Sequence, residues 1–407
     1  MDRNVRLYPW YQAARNLLFW QGVWFLYFEQ VLTAEQAIAL AAIYEIANVV
    51  VEVPSGYFSD RIGRRVTLMI SAASNVLACL LIFLAGSTHG FVLLLAGQVL
   101  LAIHMAFNSG TDSALLYDSL RATGREDEIA AAEANATRYS YFALAISAAV
   151  GGLMASGWLG DSYALTYLMT GLAAVASLII VYAFVEPPAA VTQRAEAPLR
   201  QFAQVLGRLR TPVLGWMCVF FGGLYILSHI PFVFVQPYLR DVLADVGLIS
   251  ETPLIIGVVI ALMMTVSAAL AWVVVPMRDR LGTQAMFMIA LVLQTAVIAA
   301  MAWVVHPAII GLILLRMVPG TLTRPFLLEA IQPRLESGYR ATYLSVQSLL
   351  ARLFFSATLF AAAYAVTGTD TLDRAGLAEI LPWCALGGAL LTGALWLTWP
   401  RELSADR

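Results

Sequence analysis

Long apolar runs, separated by short polar connections, account for most of this 407-residue chain. The hydrocarbon core of a bilayer is about 30 Å thick, so a helix needs about 20 apolar residues to cross it. Backbone groups in lipid must be satisfied within the segment, which predicts helices, and the alternating polarity of barrel strands does not occur. The pattern predicts twelve membrane-spanning helices, near residues 9–31, 36–58, 66–86, 90–118, 129–156, 162–185, 212–238, 253–276, 284–305, 308–330, 341–366 and 376–399.

One extended polar stretch interrupts this pattern in the middle of the chain. Residues 186–210 contain three prolines and four arginines, with six predicted spans on either side. Such a composition is typical of a connection. We therefore expect an all-α polytopic membrane protein with an N-terminal six-helix bundle at 1–185, a cytoplasmic linker at 186–210 and a C-terminal six-helix bundle at 211–407.

Composition supports this class and argues against others. Hydrophobic residues make up 60% of the chain and charged residues 12%, against about 25% charged in soluble domains. The net charge of −2 argues against nucleic-acid binding, and all three cysteines lie inside apolar runs, which predicts neither a disulfide framework nor a metal site. We expect no cofactor. The first apolar run lacks a small-residue cleavage site, so it is expected to remain in the mature protein.

The positions of the arginines predict the orientation in the membrane. All 24 basic residues are arginine, and with the N-terminus inside, 17 of them fall in cytoplasmic segments and two in the opposite loops. This bias agrees with the positive-inside rule. We therefore expect a multi-pass protein of the inner (plasma) membrane with both termini in the cytoplasm.

A compact, basic, glycine-containing loop follows the second span and has a weaker copy in the second half. The first copy runs from Gly56 to Arg65, and the second is Asp279-Arg280-Leu281-Gly282. Gly110-Thr111 in span 4 has a similar echo in Gly320-Thr321 of span 10. Together with the two sets of six spans, these echoes predict an internal duplication.

The first loop resembles the signature of the major facilitator superfamily, whose members are twelve-helix secondary transporters. The family pattern between helices 2 and 3 is G-x-x-x-D-x-x-G-R-[RK], and Gly56, Asp60, Gly63, Arg64 and Arg65 match every fixed position. The resemblance covers essentially the whole chain and is nearest to bacterial drug-efflux members. It implies two six-helix bundles related by pseudo-symmetry, a central cavity, and alternating access by rocking, with helices 1, 4, 7 and 10 along the path.

The two loops are expected to form a cytoplasmic gate. Two glycines would allow a sharp turn between antiparallel helices, and Asp60 can accept hydrogen bonds from arginines or from the N-terminal end of a facing helix. A simpler interpretation is that the arginines only enforce topology and meet lipid headgroups. The gating candidates are Gly56, Asp60, Arg61, Gly63, Arg64, Arg65, Asp279, Arg280 and Gly282.

Two departures from the family pattern weaken a direct assignment to proton-driven drug export. The R-x-x-x-G of helix 4 in many proton-coupled members is replaced here by Gln98 and Ala102, and that pattern stands instead at 316–320 in span 10. The G-P-x-x-G-G of helix 5 in drug antiporters is reduced to Gly151-Gly152.

Ionisable residues at a shallow depth in the first half form a predicted charge network. Charges inside spans cost roughly 2.5–3.5 kcal/mol at the helix centre, so they usually face a cavity or a partner. The candidates are Glu52, Asp112, Glu133 and Arg138, and we expect Arg138 to pair with Glu52 or Asp112. Asp112 would be either a proton carrier or half of a permanent ion pair, and Glu52 is more typical of the latter.

A second group of candidates lies nearer the midplane. Arg316 and Arg352 would clamp a carboxylate or phosphate by forked hydrogen bonds, or neutralise Glu45 when the cavity is empty. Pro319-Gly320 is expected to break span 10 just below Arg316. His104, a single histidine on an apolar helix, is more typical of hydrogen-bonded packing. The cavity candidates are Trp24, Glu45, His104, Asn108, Tyr225, Arg316 and Arg352, and none has the company of metal ligands.

These features favour a secondary transporter of small organic solutes, and foremost the proton-coupled efflux of amphipathic compounds through an aromatic-rich cavity. Uptake or exchange of an organic anion is the alternative that the two buried arginines suggest. A non-transporting receptor or scaffold on the same fold stays open. An enzyme is not expected, because the motifs of metalloproteases and serine hydrolases are missing from the sequence. The expected partners of this monomer are a small-molecule substrate, protons and the lipid bilayer.

Overall fold

The structure, a computed structural model, describes residues 1–88, 90–156, 162–187, 204–335 and 337–403. These residues form helices and no strand. Ten of the described helical segments are long and apolar enough to cross a membrane. The helices are α1 (Asp2–Arg15), α2 (Trp24–Val31), α3 (Ala34–Ile62), α4 (Arg64–Thr88), α5 (Phe91–Asn108), α6 (Thr111–Arg121), α7 (Ile129–Ala155), α8 (Tyr163–Ala183), α9 (Pro212–Ala244), α10 (Thr252–Leu270), α11 (Val274–Leu281), α12 (Thr283–Trp303), α13 (Ile309–Ile313), α14 (Val318–Ile331), α15 (Ser337–Ala365) and α16 (Arg374–Leu397).

Each predicted span coincides with one helix or with two consecutive helices. Spans 1, 4, 8 and 10 are divided in two, whereas each of the others is a single helix. Spans 1 and 5 are not among the ten apolar segments. Span 5 corresponds to α7, whose apolar character is diluted by Glu133 and Arg138, and span 1 is interrupted between α1 and α2.

The break in span 10 lies about one turn earlier than the sequence predicts. Residues 314–317 form turns between α13 and α14, whereas Pro319 already lies within α14. The backbone there forms hydrogen bonds between residues three apart instead of four; the Arg316 N–H, for example, donates to the Ile313 carbonyl at 3.0 Å. A proline ring clashes with the carbonyl four residues before it, here that of Leu315, so the distortion falls on its N-terminal side. Arg316 therefore stands within the break.

Contacts divide the chain into two compact units. Unit 1 comprises Met1–Thr192 with Gly247–Ala261, and unit 2 comprises Gln193–Val246 with Leu262–Arg407. The first residues of α10 thus group with unit 1, whereas the sequence assigns them to the second half. Most of the predicted linker, at 188–203, lies outside the described residues.

The two halves of the chain repeat one packing scheme and one polar contact. In each half the third span packs on the fourth and sixth, and the first packs on the fifth. Thr111 on α6 donates its hydroxyl to Ser59 on α3 at 3.3 Å, and the hydroxyls of Thr321 on α14 and Ser267 on α10 lie 2.5 Å apart. Each pair joins the second span to the fourth of its half, which supports the predicted duplication.

Candidate functional site

Span 1 breaks between α1 and α2, and side chains of two neighbouring helices satisfy the freed backbone. The Phe19 N–H donates to Thr170 Oγ1 of α8 at 3.0 Å, and the Leu18 N–H donates both to Ser147 Oγ of α7 at 3.0 Å and to the Asn16 carbonyl at 2.9 Å. An unsatisfied backbone group in the bilayer core costs several kcal/mol, so these hydroxyls stabilise the break. Hydropathy alone predicted a continuous helix here.

A buried polar network lies on one face of α1. Gln12 Nε2 donates to Asp112 Oδ2 at 2.8 Å, Asn108 Nδ2 donates to the same oxygen at 3.1 Å, and Arg15 Nη1 lies 3.4 Å from it. The Tyr11 hydroxyl donates in turn to Asn108 Oδ1. The Arg15 and Asp112 side chains are only 18% and 10% exposed. This ion pair is therefore largely shielded from water, and each partner depends on the other for its charge balance.

The arginine that pairs with Asp112 is Arg15, and not the predicted Arg138, which lies exposed on α7. Counting residues from the end of a span estimates depth, but it does not say toward which neighbour a helix face is turned. Glu52, predicted for the same network, is half-buried on α3.

The network also contains residues of α1 that sequence reasoning did not assign to it. Tyr8 joins Glu133 to the network, because its hydroxyl lies 3.5 Å from Glu133 Oε1 and accepts from Gln12 Nε2 at 2.9 Å. Tyr8, Tyr11, Gln12 and Arg15 stand at i, i+3, i+4 and i+7, the spacing of one helix face. That periodicity of polar side chains at the start of span 1 was the available signal.

The cavity candidates of unit 1 lie in different surroundings. Trp24 packs edge-on against a phenylalanine of α2, with ring centres 5.5 Å apart. His104 binds Ser71 of α4, whose Oγ lies 2.9 Å from the imidazole Nδ1 and donates to the His104 carbonyl at 2.8 Å. This is the packing contact that the sequence favours. Asn108 belongs to the network on α1, and Glu45 is 6% exposed on α3.

In unit 2, two arginines converge on the aromatic face of α9. The Arg352 guanidinium lies 5.7 Å from the centre of the Tyr225 ring, and that of Arg316 lies 5.5 Å from the centre of the Phe232 ring. His229 stacks on Tyr225 with ring centres 3.9 Å apart, and both arginines are close enough to act on it electrostatically. The structure thus brings together three candidates from three separate spans, with His229 as an addition.

Arg316 has no carboxylate partner among the described residues. Its Nη1 donates to the Ser228 carbonyl at 3.2 Å, and its Nε is buried without an acceptor. A guanidinium is always charged in proteins, and a buried charge is costly unless it is paired. An anion at this position would accept a hydrogen bond from the vacant Nε–H of Arg316.

Glu186 anchors the loop between α3 and α4, although the sequence did not single it out. Its carboxylate accepts the backbone N–H groups of Arg64 at 2.7 Å and Arg65 at 2.8 Å. It therefore caps α4, whose first N–H groups have no helical partner. Gly63 turns the chain with φ 93° and ψ 157°, a region almost restricted to glycine. The signal available was an acidic residue directly after span 6.

The side chains of both loop arginines reach other helices of unit 1. Arg64 Nε lies 3.6 Å from Asp118 Oδ2 of α6. Arg65 Nη2 donates to the Tyr182 carbonyl of α8 at 2.6 Å, with the guanidinium 5.2 Å from the Tyr182 ring centre. The loop is thereby tied to spans 4 and 6, which is more than enforcing topology requires.

The remaining candidates of this loop lie on α3. Gly56 is part of the helix and does not turn the chain, so the two-glycine turn that we predicted is made by Gly63 alone. The side chain of Asp60 lies outside the part of the chain that the structure describes. Arg61 is exposed in the last turn of α3.

The second loop repeats the backbone turn with different side chains. Gly282 has φ 81° and ψ 156°, close to the values in the first loop. The ion pair to the fourth span of this half is made by Arg278, whose Nη1 lies 3.0 Å from Glu329 Oε2 of α14. The predicted residues, Asp279 and Arg280, are exposed beside it.

The sequence model of the Major Facilitator Superfamily matches residues 16–357, which is most of the chain. The chain belongs to the Major Facilitator Superfamily. It is therefore a multi-pass membrane protein and a secondary transporter, not an enzyme. No curated protein matches its sequence.

Solved structures of other major facilitator transporters have the same fold. A mutant of the nucleoside transporter NupG is similar with a TM-score of 0.77 and 11% identity, over 97% of this chain and 100% of that one. A mutant of the peptide transporter POT has a TM-score of 0.70 and 13% identity, over 98% and 95%. A D-xylose-proton symporter has a TM-score of 0.70 and 15% identity, over 98% and 96%. At such identities the likeness shows the fold alone.

Proposed function

We propose that this protein transports a small organic solute that carries an anionic group, and that Arg316 binds this group. The observation that carries the proposal is a guanidinium inside span 10 whose described partners are the Ser228 carbonyl and the Phe232 ring. Arg316 is half-buried, with its Nε fully buried. A charge inside a span without a counter-ion is costly, and the fork of an arginine suits a carboxylate or a phosphate. Arg352 and His229 stand beside it and can share the binding.

The acidic residues of unit 2 support this assignment. Those in the described part lie in connections or close to the ends of helices, whereas Arg316 is the eighth residue of the 23-residue span Ile309–Ile331. They are Asp241, Asp245, Asp279, Glu329, Asp370, Asp373, Glu379 and Glu402. The substrate itself would therefore supply the counter-ion within this unit.

Proton coupling, as the second part of the proposal, is supported by the network on α1. Asp112 can be neutralised by Arg15 or by a proton, and a movement that separates the pair would exchange one for the other. α1 ends at Arg15, directly before the break in span 1, so such a movement would not have to bend a continuous helix. Asp118, which lies on α6 with Asp112, pairs instead with Arg64 of the loop between α3 and α4.

Efflux of amphipathic compounds is the second candidate, and a stacked pair of aromatic side chains favours it. Trp20 stacks on Tyr167 with ring centres 5.8 Å apart and planes 5° from parallel, and its Nε1 is buried without an acceptor. A flat, poorly hydrated solute with one acceptor atom would suit the partly exposed Trp20 of this pair.

Transport by the purified protein in proteoliposomes tests the choice. Labelled carboxylates and organic phosphates are compared with cationic dyes, with and without a proton gradient. Arg316→Gln is expected to weaken half-saturation by the anion by about 30-fold or more, as the loss of a buried charge pair does. Arg324→Gln, exposed on the same segment, is the matched control and should transport like the wild type.

If dye is transported, and its flux is changed neither by competing carboxylates nor by Arg316→Gln, the anion assignment is contradicted and efflux of amphipathic compounds is favoured. A broad panel without any flux would favour a receptor or scaffold. We further propose an inner-membrane location with cytoplasmic termini, on the distribution of arginines. Reporter fusions to each terminus test that orientation.

A further inference from the structure

A groove of about 420 Å³ lies between α9, α15 and α16 of unit 2. α15 and α16 barely touch each other, and both pack on α9. Small residues keep the space between them open, among them Ala361 and Ala365 of α15 and Gly387 of α16. Trp383 at the rim is 72% exposed, so the groove opens at the surface of unit 2.

The length of the groove matches one leaflet of a membrane. Its lining on α16 extends from Glu379 to Leu391. At 1.5 Å per residue this is about 18 Å, against about 15 Å for half of a hydrocarbon core that is about 30 Å thick. Apart from Glu379, all the lining residues are uncharged, and most are apolar. A single extended acyl chain would fill such a space.

Glu379, the charged lining residue, lies at the end of the groove that would meet the lipid headgroups. Glu379 is exposed less than two turns from the start of α16, and Tyr364 is exposed at the end of α15. Exposed tyrosines and tryptophans near the ends of membrane helices mark the level of the headgroups. A carboxylate there attracts a cationic headgroup and repels an anionic one.

We propose that this groove binds one acyl chain of a membrane phospholipid with a primary-amine headgroup, and that Glu379 receives the ammonium group. The lipid comes from the leaflet at the side where α16 begins. It would fill the gap that the packing of α15 and α16 leaves and would stabilise unit 2. The site does not depend on the transported solute or on Arg316, so its failure and that of the proposed function are separate outcomes.

Cys384 provides a probe, because it lines the groove and is partly exposed, whereas Cys79 and Cys218 are buried. The delipidated protein in detergent is treated with an alkyl maleimide while phosphatidylethanolamine or phosphatidylglycerol of the same chains is added. The ethanolamine lipid should slow labelling about two- to five-fold more than the glycerol lipid, the range that an exposed ion pair supports. Glu379→Gln should abolish that difference, and Asp370→Asn, an exposed acid outside the groove, should keep it.

Native mass spectrometry supplies a second measurement. A Cβ at Gly387 meets no atom within 4 Å, so Gly387→Phe should fold and occupy the groove, and it should lose the retained lipid. Ala389→Phe, on the exposed face of the same helix, should retain it. Equal protection by both lipids, or a difference that survives Glu379→Gln, would overturn the proposal. Protection that follows protein concentration instead of lipid would assign the groove to a second copy of the chain, and would overturn it as well.

Discussion

Replacing Gly63 by alanine should destabilise the protein strongly, because two separate effects meet at this residue. Its φ of 93° and ψ of 157° cost a residue with a side chain about 1–3 kcal/mol. An added Cβ would also lie 2.8 Å from the carboxylate carbon of Glu186, which would have to move. That movement gives up the cap on α4, worth about 0.5–2 kcal/mol. The expected loss in the free energy of unfolding is about 1.5–5 kcal/mol.

Three further variants separate the two effects. Gly282→Ala meets the same backbone strain at φ 81° and ψ 156°, so a loss of about 1–3 kcal/mol is expected there. Glu186→Ala removes the cap and leaves the turn intact, with an expected loss of about 1 kcal/mol. The double variant Gly63→Ala with Glu186→Ala should lose less than the sum of the two, because the clash and the cap involve one carboxylate.

Equilibrium unfolding in mixed micelles, followed by circular dichroism, measures these free energies. Gly393→Ala is the control, because it lies in α16 with no atom within 4 Å of its Cβ, and it should stabilise by up to about 1 kcal/mol. A Gly63→Ala protein as stable as this control would refute the turn that we assign. Strict additivity in the double variant would refute the contact with Glu186.

Three other predictions concern polar contacts inside the spans. Thr170→Val removes the Thr170 acceptor of the Phe19 N–H in the span 1 break and should cost about 1–3 kcal/mol. Ser147→Ala should cost only about 0.5–1.5 kcal/mol, because the Leu18 N–H keeps the Asn16 carbonyl as an acceptor. Unchanged melting of the double variant would contradict the assigned contacts. Asp112→Asn leaves Arg15 as an uncompensated buried charge and should cost about 3–5 kcal/mol, most of it recovered when Arg15→Gln is added; if it also carries the proton, the pH dependence of transport should flatten. Thr321→Val removes a hydroxyl pair within unit 2 and should cost only about 0.6 kcal/mol, so a loss of several kcal/mol would indicate a larger role.

Asp112 and Arg316 show how far the sequence could predict the candidate site. Both were identified because a charge in an apolar run is costly and therefore needs a reason. The partner predicted for Asp112 was wrong. Arg138 and Arg15 lie at comparable distances along the sequence from the starts of their spans, and only the directions of their helix faces differ. The surroundings of Arg316 were anticipated in part: Pro319 predicted a break, but the clash of its ring displaced that break to the arginine itself.

The sequence by itself determined that this is a polytopic helical membrane protein, where its helices lie along the chain, and the family loop. These follow from hydropathy and from a local motif, because the bilayer acts as a solvent that each segment meets on its own. Only the tertiary structure decided that span 1 is broken, that Glu186 caps α4 and that Arg15 serves Asp112. Such contacts join residues about 100 positions or more apart, and they depend on the rotation of each helix about its axis, which a linear pattern of polarity does not specify.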